Sequence, residues 1–337
     1  MKTSNGVKKK YKAIVIGCGW IGAEEKDYPK TIQPATHAGA YKSHPRIELA
    51  GLVDVNPRKL STAQKFFPGT PSFNSAKEMF KKIKPDIVSI ATPTNSHSQL
   101  VQLAAQFKTK AIICEKPISN SLKEAKKMIK ACQNNKSLLF INHQRRFDPL
   151  MQEWRNKVKN GLIGNILQAS CYYYNGLLNN GTHCIDLLRF FLGEISWVQA
   201  TTNSKTSISK NDKNVDALIG FKNNARVTIQ SLSKNYGFLN FYFYGTKGRI
   251  TLKNLGYEVE YKKLIKNKYY KNRYQLSKSI KQEGRPRSFM KPMVNHIISC
   301  LEGKKRPVSR GIDGLAVLKI LAALRKSAEN KGAIIKI

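Results

Sequence analysis

Apolar positions fall along this chain in two rhythms. In the first, short continuous apolar runs alternate with stretches of helical period. Ala13–Ile16, Ile47–Val53, Asp86–Ala91, Ala111–Cys114 and Leu138–Ile141 read as buried strands. Between them Ser61–Phe67, Ser75–Ile83, Ser98–Phe107 and Asn120–Cys132 read as helices. Ser75 is placed as an N-cap with Glu78 at the capping-box position, and Leu122, Ala125, Met128 and Ile129 make the last helix amphipathic. Strands alternating with helices predict a doubly wound parallel sheet over residues 1–141.

The rhythm then changes. Met151–Val158 reads as a helix, Gly164–Tyr174 as a strand, and Thr182–Leu192 as a helix closed by Gly193. Val215–Phe221, Arg226–Ser231, Leu239–Tyr244, Arg249–Leu252 and Tyr257–Tyr261 alternate at period two and are joined by short turns. That pattern predicts hairpins and a mostly antiparallel sheet. Leu264–Gln282 is expected to be a basic loop, and Phe289–Leu301 and Asp313–Ser327 are expected to be helices. The expected boundary puts residues 142–337 in a second domain. No internal repeat is visible.

The punctuation between these elements carries the chemistry. Gly17-Cys18-Gly19-Trp20-Ile21-Gly22 follows the first strand. A Gly-x-Gly-x-x-Gly there is the dinucleotide-binding fingerprint: a tight turn, close approach of backbone to a pyrophosphate, and close helix packing. Ala23–Ala35 contains Pro29 and Pro34, so the following helix is expected to be delayed to about Thr36–Tyr41, with a surface loop before it. Asp54 ends the second strand, where an acid hydrogen-bonds the ribose of NAD and repels the 2′-phosphate of NADP. Arg58 nearby softens that preference. Asp54 could also simply open a turn. Thr92-Pro93-Thr94-Asn95-Ser96-His97 follows the third strand and suits a ligand crevice.

Glu115-Lys116-Pro117 follows the fourth strand. An ammonium there can stabilise an alkoxide and pass a proton, although a Glu–Lys surface pair is the plainer reading. Asn142-His143-Gln144-Arg145-Arg146-Phe147-Asp148 follows the fifth. Its arginines can clamp an anionic or polyhydroxyl ligand, and one of them is expected to pair with Asp148. Gly181-Thr182-His183-Cys184-Ile185-Asp186 opens a helix and puts His183 and Asp186 on one face, an arrangement suited to acid/base chemistry.

Composition narrows the setting. The 337 residues carry a net charge of +38, densest at Lys8-Lys9-Lys10 and over Tyr261–Lys291. Most basic residues scatter over expected helix faces, so a main role in nucleic-acid binding is disfavoured. No apolar run is long enough for a membrane span, and no secretory h-region opens the chain. The six cysteines form no Cys-x-x-Cys pair, so a metal site is not expected and a cytoplasmic, reduced setting is.

Taken in order and spacing, Gly17–Gly22, Ala91-Thr92-Pro93-Thr94-Asn95, Glu115-Lys116-Pro117, Arg145–Pro149, Gly181–Arg189 and Gly311-Ile312-Asp313-Gly314-Leu315 resemble the Gfo/Idh/MocA oxidoreductases over nearly the whole chain. The resemblance implies an N-terminal Rossmann domain and a C-terminal α/β domain with a large open, mostly antiparallel sheet through which a homo-oligomer, dimer or tetramer, forms. It implies hydride transfer between NAD, with NADP possible, and a secondary hydroxyl or keto carbon of a sugar, polyol or nucleotide sugar. Lys116 matches the active-site lysine and His183 the acid/base histidine; either Asp186 orients His183 or Lys116 is the main proton carrier. Arg145, Asn179 and His183 fall at substrate positions. Pro93, Asn95 and His97 fall beside the cofactor and Glu115 beside the nicotinamide. The expected cofactor set is Gly17, Gly19, Trp20, Ile21, Gly22, Asp54, Thr92, Pro93, Thr94, Asn95, His97, Glu115, Lys116 and Gln144. One departure stands out: several polyol dehydrogenases of the family carry Asp four residues before the histidine, where this chain has Asn179, which cannot raise the histidine pKa by charge. The competing expectation is a sensor or accessory subunit that binds dinucleotide without turnover.

Overall fold

The computed structural model describes residues 9–26 and 28–337. Most of the expected N-terminal basic tail, and Asp27 of the expected loop, lie outside the described residues. The described chain forms two compact units: 9–148 with 287–315, and 149–286 with 316–337.

The first unit is built on six parallel strands. These are β1 (Tyr11–Ile16), β2 (Ile47–Val53), β3 (Ser72–Phe73), β4 (Ile87–Ile90), β5 (Ala111–Cys114) and β6 (Leu138–Ile141). Their spatial order is β3-β2-β1-β4-β5-β6, so the strand order reverses between β1 and β4. The expected doubly wound sheet is what forms. Its connecting helices are α1 (Trp20–Ala23), α2 (His37–Lys42), α3 (Pro57–Phe66), α4 (Ala76–Lys82), α5 (His97–Gln106) and α6 (Leu122–Asn134). Capping is local and legible. Asn56, Ser75 and Ser121 accept from backbone N–H groups of α3, α4 and α6, and α3 begins with Pro57 at its first position.

Two expectations change here. The helix after the glycine turn is not wholly delayed: one turn, α1, forms at once and then stops. The segment after it is more than a plain surface loop. The Gln33 side-chain amide donates to the carbonyls of Glu25 and Tyr28, and the Glu25 carboxylate accepts from Ala35 N, Thr36 N and Thr36 Oγ1. Thr36 in turn caps α2. A segment that begins as a break therefore ends as the foundation of a helix.

The second correction concerns the helix Met290–Leu301. The expected boundary put it in the second domain. Its buried Met290, Met293, Val294 and Ile297 instead join the core that holds Ala13, Val15, Ile113 and Phe140. The Gly311–Leu315 motif belongs to the first unit as well. A Cβ on Gly314 would lie 2.7 Å from Ile141 Cγ1, and one on Gly311 would lie 2.8 Å from Leu139 Cδ2. Those glycines serve close packing of a helix start.

The second unit opens with α7 (Pro149–Lys159), β7 (Ile166–Tyr174) and α8 (Thr182–Leu192). It continues through β8 (Ile195–Thr202), β9 (Val215–Phe221), β10 (Arg226–Leu232), β11 (Asn240–Gly245), β12 (Gly248–Lys253), β13 (Glu258–Lys266), β14 (Tyr274–Leu276) and β15 (Lys281–Glu283), and ends with β16 (Ile335–Lys336). The sheet order is β14-β13-β12-β11-β7-β10-β9-β8-β16, with β15 also paired to β13. Every pairing is antiparallel except β7 with β10. One face is buried. Val227 and Ile229 of β10 and Phe241 and Phe243 of β11 pack on α8 residues Cys184, Ile185 and Leu188 and on Val317, Ile320, Leu321 and Leu324. The expected basic loop Leu264–Gln282 turns out to extend the sheet by β14 and β15. Its lysines hid the strand pattern, because edge strands with both faces wet lose the apolar alternation. Among the described residues, no helix is long and apolar enough to cross a membrane.

Candidate active site

The C-terminal ends of β1, β2, β4, β5 and β6 bring the first unit's candidates to one edge of the parallel sheet. Gly17 follows β1 with φ +96°, and its N–H donates to Val53 O at 2.7 Å. A Cβ there would lie 2.5 Å from Ala91 O. A Cβ on Gly22 would lie 1.9 Å from Gly17 O, so the first and third glycines are required by the protein's own packing. Gly19 is different: a Cβ there meets nothing nearer than Lys59 Nζ at 3.6 Å. The middle glycine leaves an open approach to backbone. Trp20, 65% exposed, stacks on Tyr28 with ring centroids 5.7 Å apart.

Asp54 closes this turn from β2. Its Oδ2 accepts from Cys18 N at 2.8 Å and its Oδ1 from Asn56 N at 2.8 Å. Of the two expected roles, the turn-opening one is seen directly, and the same carboxylate also ties its turn to the glycine stretch. Burial, and then the neighbouring Asp54 charge, push the Cys18 thiol up to about 12, so this cysteine is no nucleophile.

After β4, Thr94–Ser96 forms a short helical turn. Ser96 Oγ lies 2.7 Å from Thr92 Oγ1 and 2.8 Å from Pro93 O. Pro93 and Asn95 are exposed. His97 is buried, with Nδ1 3.1 Å from Pro117 O and Nε2 2.9 Å from Thr92 O. Both ring nitrogens face backbone carbonyls, so His97 ties the loop after β4 to the loop after β5.

Glu115 follows β5 and is buried. Its Oε1 is 3.0 Å from His37 Nε2 and accepts from Asn142 Nδ2 at 2.5 Å; its Oε2 accepts from Lys116 N at 3.3 Å. Burial drives the carboxyl's pKa upward. The hydrogen bonds from His37 and Asn142 and the Lys116 charge outweigh it and hold Glu115 below its usual range. A surface Glu–Lys pair is thereby excluded for Glu115. Lys116 is half-buried and precedes a cis bond to Pro117.

Beyond β6, Gln144 is half-buried in the turn Gln144–Phe147, and Arg145 is buried with its guanidinium 5.6 Å from the Phe289 ring centroid. Arg146 reaches Val308 O at 3.3 Å and Asp313 at 3.4 Å. Asp148 receives both Nε and Nη2 of Arg287. One arginine on Asp148 thus comes from far along the chain, which adjacency in sequence could not suggest.

In the second unit, Gly176–Gly181 is a wide π turn leading into α8. His183 is half-buried in the first turn of α8, and Asp186 is buried one turn on. Asn179 lies in the π turn. Asp212, from the connection between β8 and β9, accepts from Leu178 N at 2.8 Å and Asn179 N at 3.1 Å, while Asn214 Oδ1 accepts from Gly176 N at 2.9 Å. The Asp212 carboxylate thus holds the backbone of the π turn at 178 and 179.

Sequence reasoning missed His37, Glu25, Lys59, Ser89 and Asp212. The Thr-His at an expected helix start was a signal for His37. Nothing local pointed to its partner 78 residues away.

Two family models match the chain. Residues 11–143 match the model described as an oxidoreductase family with an NAD-binding Rossmann fold, and residues 151–251 match the GFO/IDH/MocA C-terminal domain. A D-apiose dehydrogenase of Rhizobium rhizogenes is 26% identical over 231 residues, covering 64% of this chain and 63% of that protein. A myo-inositol 2-dehydrogenase of Thermotoga maritima is 29% identical over 150 residues, covering 44% and 41%. The chain therefore spans less than two thirds of these curated relatives. The WlbA dehydrogenase from Bordetella pertussis, solved in complex with NADH and UDP-GlcNAcA, superposes with a TM-score of 0.79 at 21% identity over 98% of both chains. A levoglucosan dehydrogenase, solved with NADH and L-sorbose, gives 0.80 at 18% identity over 98% of this chain and 99% of that one. At those identities the two superpositions establish the fold.

Proposed function

The chain belongs to the Gfo/Idh/MocA family of oxidoreductases. From that premise we propose that it is an NAD-dependent dehydrogenase or reductase acting on a secondary hydroxyl or keto carbon of a sugar, polyol or nucleotide sugar. The observation that carries the reading is the alignment of Gly17–Gly22, Asp54, Thr92 and Glu115-Lys116 along one edge of a parallel sheet, around the point where its strand order reverses. Open α/β sheets bind their ligands outside the carboxyl ends of the strands at such a point.

The residues present fit a dinucleotide. The open approach over Gly19 admits a pyrophosphate to the backbone, and the Asp54 carboxylate, pinned by Cys18 N and Asn56 N, suits ribose hydroxyls. That carboxylate favours NAD over NADP. The bound nicotinamide supplies the hydride acceptor or donor. Lys116 takes the hydroxyl proton in oxidation, returns it in reduction, and stabilises the intervening alkoxide charge. His183, set by the π turn before it, serves the same reaction as acid/base, with Asp186 as its orienting carboxylate. Arg145 and Asn179 contact the substrate. The names of the relatives (apiose, inositol and a uronic-acid nucleotide sugar among them) support the polyhydroxyl class. Incubating the protein with NAD or NADP and a panel of aldoses, inositols and nucleotide sugars should give a time-dependent reduced-nicotinamide absorbance with at least one of them, faster with NAD.

The same reading makes the second unit's open sheet face a contact between copies of this chain. Tyr172, Tyr242 and Tyr244 line a shallow depression of about 360 Å³ on that face, with Tyr172 and Tyr242 rings edge-to-face and Arg249 over both Tyr242 and Tyr244. Aromatic and arginine side chains are enriched at such contacts. Light scattering should give a multiple of the chain mass, and Tyr242→Glu should lower it. A wild-type monomer at micromolar concentration would contradict the contact.

A further inference from the structure

The core of the first unit is crossed by a line of polar side chains, His37, Ser89 and Tyr41, to which the proposed reaction gives no role. His37, the first residue of α2, is fully buried. Its Nε2 lies 3.0 Å from Glu115 Oε1 and its Nδ1 2.8 Å from Ser89 Oγ, which lies 2.6 Å from the Tyr41 hydroxyl. The network assigns the protons. A carboxylate only accepts, so His37 Nε2 carries its proton toward Glu115. Ser89 Oγ stands between His37 Nδ1 and the Tyr41 hydroxyl, so the line continues through it. Burial holds the Tyr41 hydroxyl well above its usual pKa, so it keeps its proton. Every donor on the line has an acceptor, the condition under which a buried polar network gives a unique arrangement.

Its far end is closed to the outside. Tyr41 and Ser89 are both 0% exposed, so that end does not pass protons to solvent. What the line does is fix Glu115. The imidazole is itself fixed from below, because Glu25 holds Thr36 and Thr36 caps the helix that starts with His37. The groups around the pair are few. Glu115 faces His37 from α2, Asn142 from beyond β6, and its neighbour Lys116. The Cys114 thiol beside it is pushed far up by burial and stays neutral. On the His37 side the nearby acid is Glu25, whose carboxylate is taken by Ala35 N, Thr36 N and Thr36 Oγ1.

We propose that His37 is a positioning residue: through its Nε2 hydrogen bond it keeps Glu115 ionised and oriented beside Lys116, and so favours the ammonium form of Lys116. Without His37 a buried carboxylate loses a principal support for its charge and takes a proton. Lys116 then loses its adjacent anion and titrates lower. The catalytic meaning of this relation rests on the proposed function, but the charge relation exists without substrate or cofactor and is tested without them.

The test is competitive acetylation. Trace acetic anhydride is applied at a series of pH values, and the Lys116 peptide is quantified by mass spectrometry to give the midpoint of its titration. His37→Leu, which keeps bulk and removes the donor, should lower that midpoint by about one unit. His37→Gln, whose amide can still donate to Glu115, should leave it at the wild-type value. An unchanged or raised midpoint in folded His37→Leu overturns the proposal. If His37→Leu does not fold, Glu115→Gln decides: the proposal expects it to lower the midpoint while His37→Gln does not, and equal midpoints in the two overturn it. Absence of sugar turnover would sink the proposed function and leave this readout untouched.

Discussion

Gly22→Ala should cost the protein both stability and its dinucleotide, whereas Gly19→Ala should cost it the dinucleotide alone. The added methyl at 22 would sit 1.9 Å from Gly17 O and 2.9 Å from Gly17 C. Those are backbone atoms, and Gly17 cannot yield easily: its φ is +96° and its N–H is bonded to Val53 O. Something in the turn must move. Overpacking of this kind costs about 2 kcal/mol. In a unit of this size that lowers the melting temperature by roughly 5 °C. The displaced turn no longer presents its backbone, so NADH affinity should fall by at least about tenfold, equivalent to about 1.4 kcal/mol. At Gly19 the methyl meets only the tip of a lysine at 3.6 Å. The free protein should melt as wild type does, while NADH, approaching that backbone, meets the new methyl. Melting curves and NADH fluorescence titrations of the two variants check the contrast. Equal NADH affinity in wild type and Gly19→Ala would place the dinucleotide elsewhere.

The difference between these glycines shows what the sequence could and could not convey. The fingerprint, the strand before it and Asp54 were legible because they are local: a β-branched run, a turn and an acid at a fixed offset. The parallel sheet was legible because buried strands and amphipathic helices alternate with distinct periods. Which glycine is closed in by the protein and which is left open depends on packing such as Gly17 against Ala91, across 74 positions of chain. The same holds for His37 with Glu115 and Arg287 with Asp148, where burial rather than spacing selects the partner. The Met290–Leu301 helix was legible as a helix, but nothing in its apolar face says which core it joins. In β13 to β15, Lys262, Lys263, Lys266 and Lys281 stand on a wet sheet edge, and the period-two signal is lost. Asn179 marked a departure from related polyol dehydrogenases; only the fold brings Asp212 to its backbone.

The double variant Lys116→Ala with His183→Ala should retain the cofactor and lose the chemistry. Both side chains are half-buried rather than core residues, so truncation leaves no large cavity and both units should fold. Lys116 is one of many expected cofactor contacts, and neither residue supplies the glycine cradle or the Asp54 carboxylate, so NADH affinity should stay within about tenfold of wild type, about 1.4 kcal/mol. A positioned acid/base contributes typically about 100- to 10,000-fold to rate. Lys116→Ala alone should take the larger share, because Lys116 both moves the proton and stabilises the alkoxide charge. The central claim is hydride transfer assisted by these two groups, and one paired measurement addresses it: NADH binding by fluorescence and reduced-nicotinamide turnover across the sugar and polyol panel, on wild type and double variant side by side. The account predicts NADH binding within about tenfold, turnover by wild type with at least one polyhydroxyl compound, and turnover at least about 1,000-fold lower in the double variant. Full turnover in the double variant would contradict it, as would binding without turnover by the wild type.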